Sequence, residues 1–174
     1  LQATNPDYGK RSRHLVGVCD MGEGSHQMSE FLPAYEKMMV AEGGYVLHHV
    51  KGDKGGQTYA GIARNRWPDW PGWESIDANC IPASDLVRGF YREHFWDPVH
   101  GVGSNGQKIA HSIFEVSVNA GAVTAIKLAQ IVAGATPDGK VGRKTLEAIN
   151  AMDANHFIAA YTVAKISRYE QIVT

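Results

Sequence analysis

The stretch SEFLPAYEKMMVAEGG, Ser29 to Gly44, decides how the chain is read. Phe31, Tyr35, Met38 and Met39 recur at helical spacing, with Glu42 one turn further on. Ser29 is placed to cap this helix, Glu30 lies in its first turn, and Pro33 comes early, where proline costs least. Gly43-Gly44 ends it, because glycine accepts the left-handed conformation that closes a helix. The result is an amphipathic helix that stops at a carboxylate followed by two glycines.

Outward from there the chain stays helical. Tyr45 to Gly56 is glycine-rich and suits a short irregular hairpin, and Thr58 is positioned to cap a short helix reaching about Arg66. Pro68, Pro71 and Gly72 predict a loop. Ser84-Asp85 begins an amphipathic helix to about Phe95, which Asp97-Pro98 stops. After a Gly/Asn loop at 101–106, helix runs from Lys108 to Val132 with a break around Asn119-Ala120-Gly121. A Pro137-Asp138-Gly139 turn precedes two last helices, roughly 142–151 and 154–172. Strand-like alternation is scarce. The expected fold is mainly α with at most a small β-hairpin.

Composition narrows the function. The 174 residues suit one domain, and 44% hydrophobic with 20% charged residues excludes disorder, collagen and coiled coil. No apolar run is long enough to cross a membrane. Seventeen basic residues against eighteen acidic ones give a net charge of −1. That lacks the basic excess needed to grip nucleic acid, and it gives no attraction to an anionic membrane. Cys19 and Cys80 have no C-x-x-C spacing; one disulfide or two free thiols both fit, a disulfide-stapled scaffold does not.

Leu1 to Gln27 reads differently from the rest, being polar and Gly-rich. Its basic cluster of Lys10, Arg11 and Arg13 precedes an apolar stretch, Leu15 to Val18, too short for a signal-peptide core. Gly24-Ser25-His26 before Gln27-Met28 reads as a vector-derived remnant with Met28 as the natural start; a native flexible extension is the other reading. Without a signal peptide, a protein made in the cytoplasm and acting outside it leaves by another route.

The chemistry concentrates between Glu42 and Ile62. A glutamate in the last turn of an apolar helix, against the face of Met38 and Met39, is expected in apolar surroundings. Such surroundings raise a carboxyl pKa and suit a general acid. Asp53, in the loop Gly52-Asp53-Lys54-Gly55-Gly56, offers a solvated carboxylate, and Thr58 a hydroxyl able to cap a helix or orient a water. A buried acid, an ionised carboxylate and a hydroxyl across a flexible loop form a glycosidase constellation. An ordinary helix-end carboxylate is the alternative from spacing alone.

Glu42-Gly43-Gly44-Tyr45-Val46, followed by Asp53 to Ile62 (DKGGQTYAGI), resembles the E-G-G-Y … D-x-G-G-x-T-x-x-G-I signature of glycoside hydrolase family 108. That family comprises lysozyme-like N-acetylmuramidases, many from phages and prophages, some labelled secretion activator proteins. The resemblance extends over Ser29 to Val173. It includes a C-terminal peptidoglycan-binding-type segment in Val118-Asn119-Ala120-Gly121, Ala129-Gln130, and Asp138 to Gly142 with Thr145. It implies a lysozyme-like helical fold, with a catalytic part over 28–104 and a peptidoglycan-binding-like part over 105–174 packed into the same domain. It also implies that Glu42 is the catalytic acid, with Asp53 and Thr58 holding the attacking water. One departure stands out: members usually carry Asp-Pro in the turn after EGGY, where this chain has Leu47-His48-His49-Val50, so its loop to Asp53 is expected to differ in shape.

Other residues have two readings each. Trp67, Trp70 and Trp73 recur in a Pro/Gly loop, where exposed indoles would stack on sugars and buried ones would close the loop over the core. Trp70, between Asp69 and Pro71, is the one expected to face substrate. Tyr45 and Tyr59 flank the carboxylates and either line the cleft or pack, and Asn119 at the helix break could reach the cleft. His48 and His49 lie near Asp53, but no further ligand follows at zinc spacing, so neither metal nor cofactor is implied. His111 and Glu115, four apart, read as a structural pair, and Asp138-Gly139 as a turn.

Two functions follow. One is a monomeric muramidase acting on the glycan strands of peptidoglycan, outside the cytoplasm, with Glu42 as acid. The other is a non-catalytic peptidoglycan-binding or secretion-assisting protein on the same fold, which would have no reason to keep Glu42.

Overall fold

The computed structural model describes residues 29–49, 56–99 and 106–173. Helix α1 covers Phe31–Ala41 and buries Phe31, Ala34, Tyr35, Met38 and Met39. Ser29 does not cap it. Glu30 holds the cap position without a side-chain bond, and the Gln107 amide clamps its backbone, accepting from the Glu30 N–H at 2.6 Å and donating to the Glu30 carbonyl at 2.7 Å. The far end closes as the glycines predict. Gly43 N–H donates to Val40 O and Gly44 N–H to Met39 O at 2.9 Å, with φ of 82° and 79°, the paired bonds of a Schellman motif.

Strands β1 (Leu47–His49), β2 (Gln57–Tyr59) and β3 (Ile62–Ala63) follow as an antiparallel sheet in that order. The short helix expected from Thr58 to about Arg66 is corrected to a hairpin. Ala60 and Gly61 both take positive φ, 48° and 80°, the two-residue turn whose twist suits antiparallel strands. Thr58, Tyr59 and Ile62 are residue types that favour strands. Tyr59 pairs with Ile62 and both are buried, while Thr58 pairs with His48 and Ala63 on the opposite face.

The tryptophan loop leads into a helix the sequence did not suggest, α2 (Gly72–Asp77), with Pro71 at its N-cap. Arg64 anchors its end through two hydrogen bonds to Asp77, 2.7 and 2.6 Å. Helix α3 (Ser84–Tyr91) continues into a π-helical turn, Arg92–Trp96, where the Phe95 carbonyl accepts from the buried Ser117 hydroxyl at 2.8 Å. Then come α4 (Gln107–Ala120), α5 (Ala122–Val132), α6 (Arg143–Asn150) and α7 (Ala154–Val173). The break between α4 and α5 falls at Gly121, whose φ is 87°.

Two hydrophobic clusters make the core. The first gathers α1, the sheet, the tryptophan loop and α3 around Phe114, and the second gathers α5, α6 and α7 around Ile113 and Ile149. Helix α4 serves both, giving Ala110 and Phe114 to one and Ile109, Ile113 and Val116 to the other. Buried Gln130 shapes the Asp138-Gly139 turn. Its Nε2 reaches Asp138 Oδ1 at 2.7 Å and Thr145 Oγ1 at 3.1 Å, and its Oε1 accepts from the Gly139 N–H at 2.8 Å. The architecture is mainly α with a small sheet, as expected.

Candidate active site

Glu42 is the C-cap residue of α1, at the seam between the helices and the sheet. It lines a cleft of about 190 Å³ with Gly61 from the hairpin turn, Arg66 and Trp67 from the loop, Tyr91 from α3 and Asn119 from the end of α4. The expectation of a buried acid is corrected: Glu42 is exposed, on the rim, because the helix surfaces just after burying Met38 and Met39. An anion at the carbonyl end of a helix opposes the helix dipole, so stability does not account for it.

Tyr91 and Gly61 form the wall behind the carboxylate. The buried Tyr91 hydroxyl donates to the Ala60 carbonyl at 2.8 Å, tying α3 to the hairpin turn. A Cβ on Gly61 would stand 2.4 Å from that hydroxyl oxygen and 3.4 Å from Glu42 Oε2. The missing side chain lets the phenol and the carboxylate approach the same turn. Burial, and secondarily the Glu42 charge, push the Tyr91 phenol far above its ordinary pKa, so it stays protonated and donating.

The other anticipated residues divide. Asn119 reaches the Glu42 cleft, its Nδ2 donating to Glu115 O at 2.9 Å. Thr58 is half-buried on the sheet face away from Tyr59, and Asp53 lies outside the described residues, as does Cys19. Tyr45 is exposed, its hydroxyl 2.8 Å from that of buried Tyr35. Tyr59 is buried and stacked on Trp70, ring centroids 6.1 Å apart.

Trp70 is the second correction. It is only 7% exposed, with its edge against Trp73, its Nε1 directed at Leu86 O at 3.4 Å, and Gly72 pressed on the ring. The tryptophan at the Glu42 cleft is Trp67, held from below by Phe90 and beside His94, centroids 4.9 and 4.6 Å away. Trp73 is buried and donates to Trp67 O at 2.7 Å, which fixes the backbone under Trp67. Glu115 pairs with Lys165 of α7 at 3.1 Å, and its charge also acts on the imidazole of His111. Among the described residues, no group of three or more His, Cys, Asp or Glu could hold a metal ion.

A family model described as glycosyl hydrolase 108 matches residues 35–121, half of the chain. The chain belongs to glycosyl hydrolase family 108. In this family member, a second model, described as a predicted peptidoglycan domain, matches residues 124–174. The structure of SagA from Brucella abortus is similar, with 27% identity and a TM-score of 0.64, covering 80% of this chain and 79% of that one. No curated protein matches. This glycosyl hydrolase 108 chain therefore has a lysozyme-like, mainly α fold and acts on peptidoglycan. No helix among its described residues is long and apolar enough to cross a membrane.

Sequence reasoning missed Tyr91, Gly61, Arg66 and the position of Trp67. Val87, Tyr91 and Phe95 do recur at four-residue spacing and mark a buried face, but nothing local says that the face ends at Glu42.

Proposed function

We propose that this chain is an N-acetylmuramidase, hydrolysing the β-1,4 bond between N-acetylmuramic acid and N-acetylglucosamine with Glu42 as general acid. The observation that carries this is the Glu42 carboxylate, set at a helix end that disfavours it and opening on a cleft walled by Trp67, Arg66 and Asn119. Glu42 gives its proton to the glycosidic oxygen as the bond to the anomeric carbon breaks. Water then supplies the new hydroxyl and returns a proton. Asp53 is assigned the second carboxylate and Thr58 the alignment of the water, on the strength of their place in the family signature. Trp67 offers a ring to the sugar beside the scissile bond.

The test is Glu42→Gln, assayed by clearing of purified cell walls and by mass spectrometry of the released fragments. Lysis should fall by at least about 100-fold, the range for losing a general acid, with the melting temperature unchanged. The wild-type fragments should end in reducing N-acetylmuramic acid. Near-normal lysis by Glu42→Gln, or fragments ending in N-acetylglucosamine, refutes the assignment. A wild-type protein that binds walls without cleaving them would point to the binding-protein alternative.

A further inference from the structure

Glu42 stands on a turn with little support of its own. A Cβ on Gly43 or Gly44 would meet nothing within 4 Å, so the turn packs on nothing. Both glycines have positive φ, and glycine has the widest backbone freedom of any residue. Among the described residues, no hydrogen bond or ion pair holds the Glu42 carboxylate. Its direction therefore depends on what fixes the backbone from Glu42 to Gly44. Tyr45 spans that turn, folding back so that its hydroxyl lies 2.8 Å from that of Tyr35 on the buried face of α1. The Tyr35 ring packs against Phe31 and Tyr91, centroids 5.3 and 6.0 Å away, and Tyr91 bonds the Ala60 carbonyl behind the carboxylate. We infer that Tyr45 is a positioning residue for the general acid: its hydroxyl, held by Tyr35, braces the Gly43-Gly44 turn and so fixes where the Glu42 carboxylate points. This rests on the glycosidase reading above.

The proton has a defined place in this bond. Tyr35 is buried, and the Tyr45 oxygen is its acceptor among the described residues, so the Tyr35 O–H donates and Tyr45 accepts. The reverse would strand the Tyr35 proton in the core. Burial first, and the bond to Tyr45 second, hold the Tyr35 phenol far above its ordinary pKa, which keeps the donor protonated. Tyr45 itself is exposed, and water alone would satisfy its hydroxyl. Its inward direction needs another reason, and the brace supplies one. Beyond the turn, Val46 O accepts from the Ala60 N–H at 3.1 Å, so the sheet holds the chain from Val46 onward. The phenol pair covers the gap between the end of the helix and the start of the sheet, where Glu42 sits.

The test compares the full chain with Tyr45→Phe, Tyr35→Phe and the double variant. The readouts are initial rates of lysis over a range of wall concentrations, melting temperature, and amide exchange by NMR. All three variants break the bond. In each, kcat should fall by about tenfold with KM unchanged, the scale of a small misplacement of a reacting group. The double variant should be no slower than the singles, because one bond is lost in every case. Stability should follow a different order. Tyr45→Phe leaves the buried Tyr35 hydroxyl without a partner and should lower the melting temperature, whereas the double variant removes both hydroxyls and should melt near wild type. A double variant that is stable yet slow separates positioning from folding. Exchange at the Gly43 and Gly44 amides should quicken by about tenfold in all three variants, as local opening of the turn becomes easier. Wild-type kcat in the double variant, or unchanged exchange at Gly43 and Gly44, overturns the inference. So does a KM raised by Tyr45→Phe but not by Tyr35→Phe, since Tyr45 would then touch substrate. Normal lysis by Glu42→Gln would instead overturn the glycosidase reading, while exchange at the two glycines still decides the brace.

Discussion

Gly61 and Tyr91 should be coupled, and the coupling has a predictable size. In Gly61→Ala the new methyl would stand 2.4 Å from the Tyr91 hydroxyl oxygen, and the turn would hold alanine at a φ of 80°. The left-handed conformation alone costs about 1–2 kcal/mol. Moving the phenol breaks its bond to the Ala60 carbonyl and strands buried polar atoms, about 1–3 kcal/mol more. Tyr91→Phe by itself should cost that second amount only. Once the hydroxyl is gone, the nearest ring atom lies 3.7 Å from the alanine methyl, an ordinary contact. Gly61→Ala added to Tyr91→Phe should therefore cost only the backbone strain, and the double variant should be more stable than the sum of the singles predicts by about 1–3 kcal/mol. Guanidinium unfolding of the four proteins by circular dichroism measures this. Wall lysis should follow the same order, because the methyl also touches Glu42 Oε2. Costs that add to within about 0.5 kcal/mol would refute the account of why residue 61 is glycine.

Three further outcomes are expected. Gln107→Ala removes both bonds that clamp Glu30, so lysis should fall by about tenfold as Glu42 loses its alignment with α4, with Gln107→Glu intermediate; equal lysis by all three proteins would show that the clamp is dispensable. Trp70→Ala should destabilise the fold by about 3–5 kcal/mol, the cost typical of deleting a buried aromatic ring, and so lower the melting temperature, whereas Trp67→Ala should chiefly impair lysis; the reverse pattern in paired melting and turbidity assays would restore Trp70 to the site. Asp138 accepts from the Lys140 N–H and from Gln130, which holds its carboxyl below the ordinary value of 3.8. A depressed folded-state pKa stabilises above that value and is lost as pH falls below it, so stability should drop on acidification through about pH 4 less steeply in Asp138→Asn than in wild type.

Periodicity and glycine made most of the helical frame legible. The face of α1, its stop at Gly43-Gly44 and the break at Gly121 all depend on neighbours within a turn, which the sequence displays. The sheet does not, because strands of two and three residues are too short to alternate visibly. Thr58-Tyr59-Ala60-Gly61-Ile62 still carried a signal, since Ala-Gly between β-favouring residues is compatible with a two-residue hairpin turn. Trp70 misled for another reason. Its neighbours Asp69 and Pro71 are exposed, but the ring itself turns inward against Tyr59 and Phe90, partners that only the tertiary fold brings close. Glu42 is legible because a carboxylate before two glycines is locally odd, whereas its exposure is not, because the buried face of α1 ends with Met39.

Why Glu42 and Asn119 meet can be traced to chain length. Both α1 and α4 start at the Gln107–Glu30 clamp, and the helix ends after them line the same cleft, so the two helices run in the same direction. Glu42 lies twelve positions after Glu30, and Asn119 twelve positions after Gln107. At about 1.5 Å of rise per residue each helix advances roughly 18 Å, so the two side chains arrive at the same level. An insertion or deletion in either helix would move one partner by at least that rise and rotate it by about 100°, out of the cleft. The site is thus assembled by matched lengths across a shared start. Since α4 gives side chains to both clusters, the C-terminal helices pack against one side of it and α1, the sheet and α3 against the other.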